Sequence, residues 1–357
     1  MTVFDFGPGK PIRFSTLILS YNGVKPMYFS KYYNLPGNYC DGVTGIPSSG
    51  EFALSKFIGA SFIALSTGGT QSQSNGYNIN TFTVNDTFTI NVSKTINYLI
   101  VGGGGSGGFG NDRTGGGGGA GGYLIGTFVA NPGTNYSIVV GKGGLASTSS
   151  VKGYCGNNSV VSGTGITTVT AYGGGYGGYS GSNNPSVPIG CGGGAYQNGY
   201  GMSGTAIQHG NTGGNGYNGS VSHVYSGGGG GGAGGVGLPG DINGGGAGGP
   251  AIQITSTELV GYNSTLTICG GGGGGTQTTT QLSFNPSVGG SAGTAPVVYS
   301  GGNGGVYPLI NTNPTPGQTY GGGGGGGGGN IINVSPIPDS ASGGAGANGI
   351  VVFTYLL

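Results

Sequence analysis

The chain has 357 residues, of which 95 are glycine and 17 proline, while only 5% are charged and 10% aromatic. Disordered chains are highly charged and poor in aromatics, so a glycine content that alone would suggest low complexity is not read here as a flexible tail. Nine basic and eight acidic residues leave a net charge of +1, with no basic stripe to neutralise phosphates, and nucleic acid is excluded as an expected partner.

Residues 1–66 are ordinary in glycine content and hold more than half of the basic residues. A short theme recurs there as "PIRFSTL" (11–17), "PMYFSKY" (26–32) and "EFALSKF" (51–57). Each places two apolar residues one apart, then Ser15, Ser30 or Ser55 where it can cap a brief helical turn. The repetition predicts a small docking module, with Phe14, Phe29, Tyr32, Phe52 and Phe57 as its candidate contacts. The opening "MTVFDFGPGKPIRF" has no basic segment followed by an apolar core, so a signal peptide is not expected. No apolar run is long enough to insert in a membrane. "TGGTQSQSNG" (67–76) is small and polar and reads as a linker.

From residue 77 to 357 two kinds of text alternate. "INTFTVNDTFTINVSKTINYLIV", "YLIGTFVANPGTNYSIVVG", "SVVSGTGITTVTAY", "STLTIC" and "GIVVFTY" are rich in β-branched and aromatic residues with stretches of period two, which predicts strands, and "NPG" (131–133) marks a hairpin turn. Between them lie eight glycine runs of three or more residues. Val101, Tyr172 and Cys269 lead directly into runs, and the run ending at Gly122 leads directly into "YLI". Strands and runs are therefore parts of one unit, with the strands as a base from which the runs project. Collagen requires strict Gly-X-Y, and nine consecutive glycines at 321–329 break that register. What remains is the extended left-handed helix with three residues per turn, polyglycine II. It has no internal hydrogen bonds, so its N–H and C=O groups must pair sideways with other runs. The expected fold is mainly β and irregular: a docking module, then a strand base carrying a bundle of polyglycine II helices.

Residues 95–125, "TINYLIVGGGGSGGFG…GGGGGAGGYLIG", and the closing "GGAGANGIVVFTY" (343–355) resemble the glycine-rich domain of virion fibre proteins from bacteriophages and some large DNA viruses. The likeness is to the polyglycine II sandwich of T-even-type tail-fibre adhesins, and it implies receptor-contacting loops at the tip of the sandwich. The segments "KPMYFSKYYN" and "GIPSSGEFALSKFIGAS" are similar to text common in marine phage structural proteins. The resemblance implies a virion location, exposed on the surface or tail after assembly in a host cytoplasm.

Signals for catalysis are weak. Ser106 and Ser291 satisfy G-x-S-x-G only through glycine density, since a nucleophile elbow needs a strand-to-helix turn and then an acid and a histidine. "VVGKGG" (139–144) lacks the Ser/Thr that follows the lysine of a phosphate loop. His209 and His223 read as solvated loop histidines, and Cys40, Cys155, Cys191 and Cys269 as buried or inert thiols without metal spacing. No enzyme activity, cofactor or metal is expected. The remaining text, at 180–188, 196–226, 306–320 and 330–342, is Tyr, Asn, Ser, Gly and Pro with little charge, a palette shared with recognition loops and with neutral solvated turns. The candidate receptor contacts are Tyr196, Tyr200, Tyr217, Tyr225, Tyr307 and Tyr320, with an uncharged glycan or an outer-surface protein of the host as ligand. Residues 1–66 would join other virion proteins or copies of the chain. The expectation is a non-enzymatic virion fibre or adhesin. Its rival is a self-assembling extracellular fibril subunit whose glycine lattice is purely mechanical.

Overall fold

The computed structural model describes residues 65–110, 114–148, 153–179, 190–198, 208–219, 224–278, 306–307, 314–328 and 342–357. The chain divides into two units, Met1–Leu65 and Ser66–Leu357. The docking candidates Phe14, Phe29, Tyr32, Phe52 and Phe57 lie outside the described residues. All regular structure described in the second unit is sheet, apart from one residue of helical turn, and none is α-helix.

The strand-rich text forms two five-stranded sheets. One is ordered β1 (Ser66–Thr67), β4 (Asp86–Ile90), β7 (Asn135–Val139), β8 (Ser159–Ser162), β9 (Val169–Ala171). The other is ordered β2 (Thr70–Ser74), β3 (Tyr77–Phe82), β16 (Ile350–Leu356), β5 (Lys94–Val101), β6 (Tyr123–Ala130). Their facing residues meet in an aromatic core, where Phe88 and Phe353 lie edge to face at 5.1 Å, Phe82 and Phe353 at 5.4 Å and Phe128 and Phe353 at 5.6 Å. The closing strand β16 runs between β3 and β5 and is buried at every residue but its last, which explains why its text is apolar apart from Thr354 and the Tyr355 hydroxyl. Its other face, Ile350 and Val352, joins Leu99 and Val101 against Ile254, Leu259 and Ile268. Those come from a small hairpin, β12 (Ile252–Ile254) with β13 (Leu266–Ile268), and the turn joining them.

Two local expectations are corrected. Residues 67–76, expected to be a linker, build β1, β2 and the turn into β3, with Asn75 (φ 48°) and Gly76 (φ 82°) in left-handed conformations. An Asn-Gly pair supplies both positive φ values of a tight hairpin turn. "NPG" is a corner between sheets and not a hairpin, because β6 pairs with β5 and β7 with β4 and β8. The corner is tied down where Asn131 N–H donates to the Tyr136 hydroxyl (2.8 Å) and Gly133 N–H to Ile90 C=O (2.8 Å).

The glycine runs form the expected lattice. Gly102, Gly105 and Gly108 donate to Gly122, Gly119 and Gly116; Gly103 and Ser106 donate to Asn157 and Tyr154; Gly104 and Gly107 donate to Ala347 and Gly344. Every third residue thus faces the same neighbour. No glycine within the runs 102–105, 115–119, 227–232, 270–275 or 322–327 has positive φ. Three residues per turn with negative φ is the left-handed polyglycine II helix.

Run 115–122 is the hub. All eight of its N–H groups are bonded: Gly115, Gly118 and Gly121 to 321–327; Gly116, Gly119 and Gly122 to 172–178; Gly117 and Ala120 to 228–231. Its carbonyls accept from 102–108, from Cys191 and Gly194, and from Gly272 and Gly275. These six neighbours also bond to one another in a closed ring. Runs 102–110 and 227–233 likewise touch six neighbours each, so the three form a central row with shorter runs on both sides.

Such spacing leaves no room for a side chain. A methyl at Gly104, Gly118, Gly230, Gly272 or Gly323 would stand 2.0–2.2 Å from a carbonyl oxygen of the next run. Side chains appear where the lattice ends. Leu145, Val236 and Leu238 are exposed on its rim, and Ala120, Cys191 and Cys269 are buried where it meets the strand base. Burial pushes the Cys191 thiol up to about 12, and it pushes Cys269 well above its ordinary range.

Candidate functional site at the far end of the glycine bundle

Strand β5 feeds run 102–110 and run 115–122 feeds β6, so Gly110 and Thr114 lie at the end remote from the sandwich. At ~3.1 Å per residue that end is about 25 Å from the strands. The direction of each lateral bond series then assigns the other runs. Residues 178–179, 195–198, 216–219, 224–226, 240–246, 275–278 and 342–343 are at the far end, while 172, 190–191, 211, 232–235, 269 and 320–321 are at the strand end.

The far end carries its own four-stranded sheet, ordered β10 (Tyr217–Gly219), β11 (Val224–Ser226), β14 (Thr276–Thr278), β15 (Val306–Tyr307). The first three strands are continuous with runs ending at Gly216, starting at Gly227 and ending at Gly275. In register, Asn218, Tyr225, Gln277 and Tyr307 form one row across it, and Tyr217, Ser226, Thr276 and Val306 the next. Three of the six candidate tyrosines are therefore on one sheet, with Tyr217 and Tyr225 half-buried. Hydrogen bonds tie the sheet to the turn at 241–244. Ser226 Oγ donates to Asp241 C=O (2.8 Å), and Gly245 N–H donates to Thr276 Oγ1 (2.7 Å). Within the turn the Asp241 carboxylate accepts from the N–H groups of Asn243 (2.7 Å) and Gly244 (3.1 Å).

Tyr196 is also at this end and half-buried. Its neighbour Gln197 is buried, and its Oε1 accepts from Thr114 N–H (3.2 Å). Tyr200 lies outside the described residues, as do 180–188 and 330–341. Tyr320 is at the opposite end. Its carbonyl accepts from Cys269 N–H (3.0 Å), and its side chain packs on the apolar cluster beneath the lattice.

Phe109 and Tyr179, whose rings are 6.2 Å apart at the far end, were not singled out from sequence. The signal was present, because each is an aromatic closing a glycine run. Ser106 is fully buried inside a run, and its Oγ accepts from Tyr154 N–H (2.8 Å), so it occupies no nucleophile elbow. His209 is exposed at the strand end and stacks on Tyr123 at 4.4 Å. Burial, and then the nearby Cys269, Glu258 and Cys191, hold the Tyr123 phenol above its ordinary range. His223 lies outside the described residues, and among those described no three His, Cys, Asp or Glu side chains gather as a metal set. The far end therefore offers aromatic area, amides and hydroxyls with Asp241 as a charge.

Residues 79–356 match the glycine-rich domain family, and the chain belongs to it. No curated protein matches the chain.

Proposed function

We propose that this is a non-enzymatic virion structural protein, a tail-fibre or other fibre adhesin that binds a host-surface receptor through the far end of its glycine bundle. Residues 1–66 join it to other virion proteins or to copies of itself. The observation that carries the reading is the convergence at one pole, remote from the sandwich, of the β10–β11–β14–β15 sheet, Tyr196 and the 241–244 turn. Rigid runs hold neutral, tyrosine-bearing segments together there. Near-neutral chemistry suits an uncharged glycan or an outer-surface protein loop, since ionic steering is small. The test is adsorption of virions carrying Tyr217→Ala and Tyr225→Ala to host cells, with assembly followed by electron microscopy. Adsorption should fall by roughly tenfold or more for hot-spot contacts while particles assemble normally. Normal adsorption would refute the reading. Failed assembly with adsorption intact would make these loops polymer contacts and favour the fibril subunit.

A further inference from the structure

A second surface lies at the opposite end of the bundle from the tip. An open groove of about 710 Å³ runs between β13, the segment 317–320 and the segment 346–348. Its volume falls within the ~300–1,000 Å³ span of small-ligand sites. Tyr320, Gln318, Thr267, Asn348 and Leu266 line it, and Gly317 and Gly346 contribute backbone. Apart from the tyrosine phenol, no ionisable side chain among the described residues lines the groove.

Its hydrogen-bonding groups are open. Among the described residues, neither the Tyr320 hydroxyl nor the Gln318 side-chain amide has a protein partner. Asn348 Oδ1 accepts from Gly143 N–H (3.0 Å), which leaves its NH₂ group to donate outward. The carbonyl of Gly317 accepts from no described N–H group, whereas that of Gly346 is packed against Gly143 of the neighbouring run. The Tyr320 ring is already fixed by packing on the cluster that holds Val101 and Cys269, so presenting it costs little side-chain entropy.

From this arrangement we propose that the groove binds a short uncharged saccharide. A pyranose offers an apolar C–H face and a rim of hydroxyls. The half-buried Tyr320 ring and Leu266 suit the face, while the Gln318 and Asn348 amides, the Thr267 hydroxyl and the Gly317 carbonyl suit the rim. A sugar acid or phosphate would find no cation among the described lining residues. The site is separate from the tip and does not depend on the adhesin reading.

The test applies the full chain to an array of neutral oligosaccharides terminated in glucose, galactose, mannose or N-acetylglucosamine, with sialylated and sulfated glycans alongside. Neutral glycans should be retained, and the dissociation constant for the best of them should rise roughly tenfold in Gln318→Ala and in Tyr320→Phe, the loss of about one hydrogen bond each. Gln318 is exposed and the phenylalanine keeps the ring, so both variants should fold; unchanged circular dichroism checks this. Tyr217→Ala with Tyr225→Ala should leave this binding intact, which separates the groove from the tip. Retention of anionic glycans alone, no retention at all, or affinity indifferent to both groove variants would each overturn the proposal.

Discussion

Replacing Gly118 by alanine tests whether the lattice, and not the strand base alone, holds this protein together. The new methyl would stand 2.2 Å from the carbonyl oxygen of Gly105 and 2.7 Å from that of Ser106. An ordinary contact begins near 3.4 Å, so runs 102–110 and 115–122 must part by about 1 Å. Between them are the bonds from Gly102 to Gly122 (2.9 Å), Gly105 to Gly119 (2.9 Å) and Gly108 to Gly116 (2.8 Å). That movement stretches all three beyond useful length. Each buried group left unpaired costs ~1–3 kcal/mol, and partial relaxation shares the strain, which gives about 3–5 kcal/mol. Alanine's smaller unfolded-state entropy returns only ~0.4–1 kcal/mol. The control is Gly235→Ala, where the nearest atoms to a methyl belong to the Pro250 side chain at 3.3 Å and 3.8 Å; it should change stability by less than ~1 kcal/mol. Denaturant unfolding of the full chain followed by circular dichroism measures both. Equal stability of the two variants would refute the argument, because it would mean that the runs can move apart at no cost.

Two further outcomes can be measured. The Cys191 thiol is raised from its ordinary value near 9 to about 12 by burial, so the unfolded chain ionises first: the stabilisation is complete below pH ~9 and is lost as pH climbs to about 12. The loss is up to ~4 kcal/mol, and Cys191→Ala should flatten that alkaline slope in a pH series of denaturant midpoints; an unchanged slope would count against it. Deleting residues 1–64 should leave the second unit folded, with unaltered thermal unfolding, but absent from assembled particles, and normal incorporation would remove the docking role from that segment.

The strand base was legible because its side chains alternate. The texts of β5, β6 and β16 carry the β-branched and aromatic pattern that a buried sheet requires. The lattice was legible in kind, since glycine runs anchored by strands have few ways to satisfy their backbone. Its arrangement was not. A run of identical residues has no face, so nothing in "GGGGG" says that 115–119 is surrounded by six neighbours or that 227–232 runs parallel to it. Tyr320 was misplaced for the same reason, because the direction of the segment before run 321–328 is fixed only by lateral bonds such as Gly325 N–H to Thr315 C=O (3.0 Å). The β2–β3 hairpin was legible in principle from Asn75-Gly76, but the surrounding small polar residues resemble linker text. "NPG" suggests a turn in any setting, and sequence alone does not say whether the turn joins strands of one sheet or of two.

A backbone lattice has no intrinsic edge, which bears on the choice between adhesin and fibril. Like an unpaired strand, an outermost run with open N–H and C=O groups is a template for the next run, whether from the same chain or from another. At one edge of the central row the run 235–240 carries Val236 and Leu238, 51% and 53% exposed; at the other, the run 141–147 carries Leu145, 72% exposed. A single methyl already collides at lattice spacing in the interior, so these larger side chains hold a second molecule beyond hydrogen-bonding distance. Replacing Val236 and Leu238 together by glycine should therefore promote self-association, read as a shift to higher sedimentation coefficients with rising concentration. The sign discriminates between causes. Removing two exposed apolar side chains lowers association driven by the hydrophobic effect, so an increase can come only from newly accessible backbone. If the double variant stays as monodisperse as the parent, the rim side chains are not what ends the lattice, and the fibril reading loses its route through lateral backbone pairing at this edge.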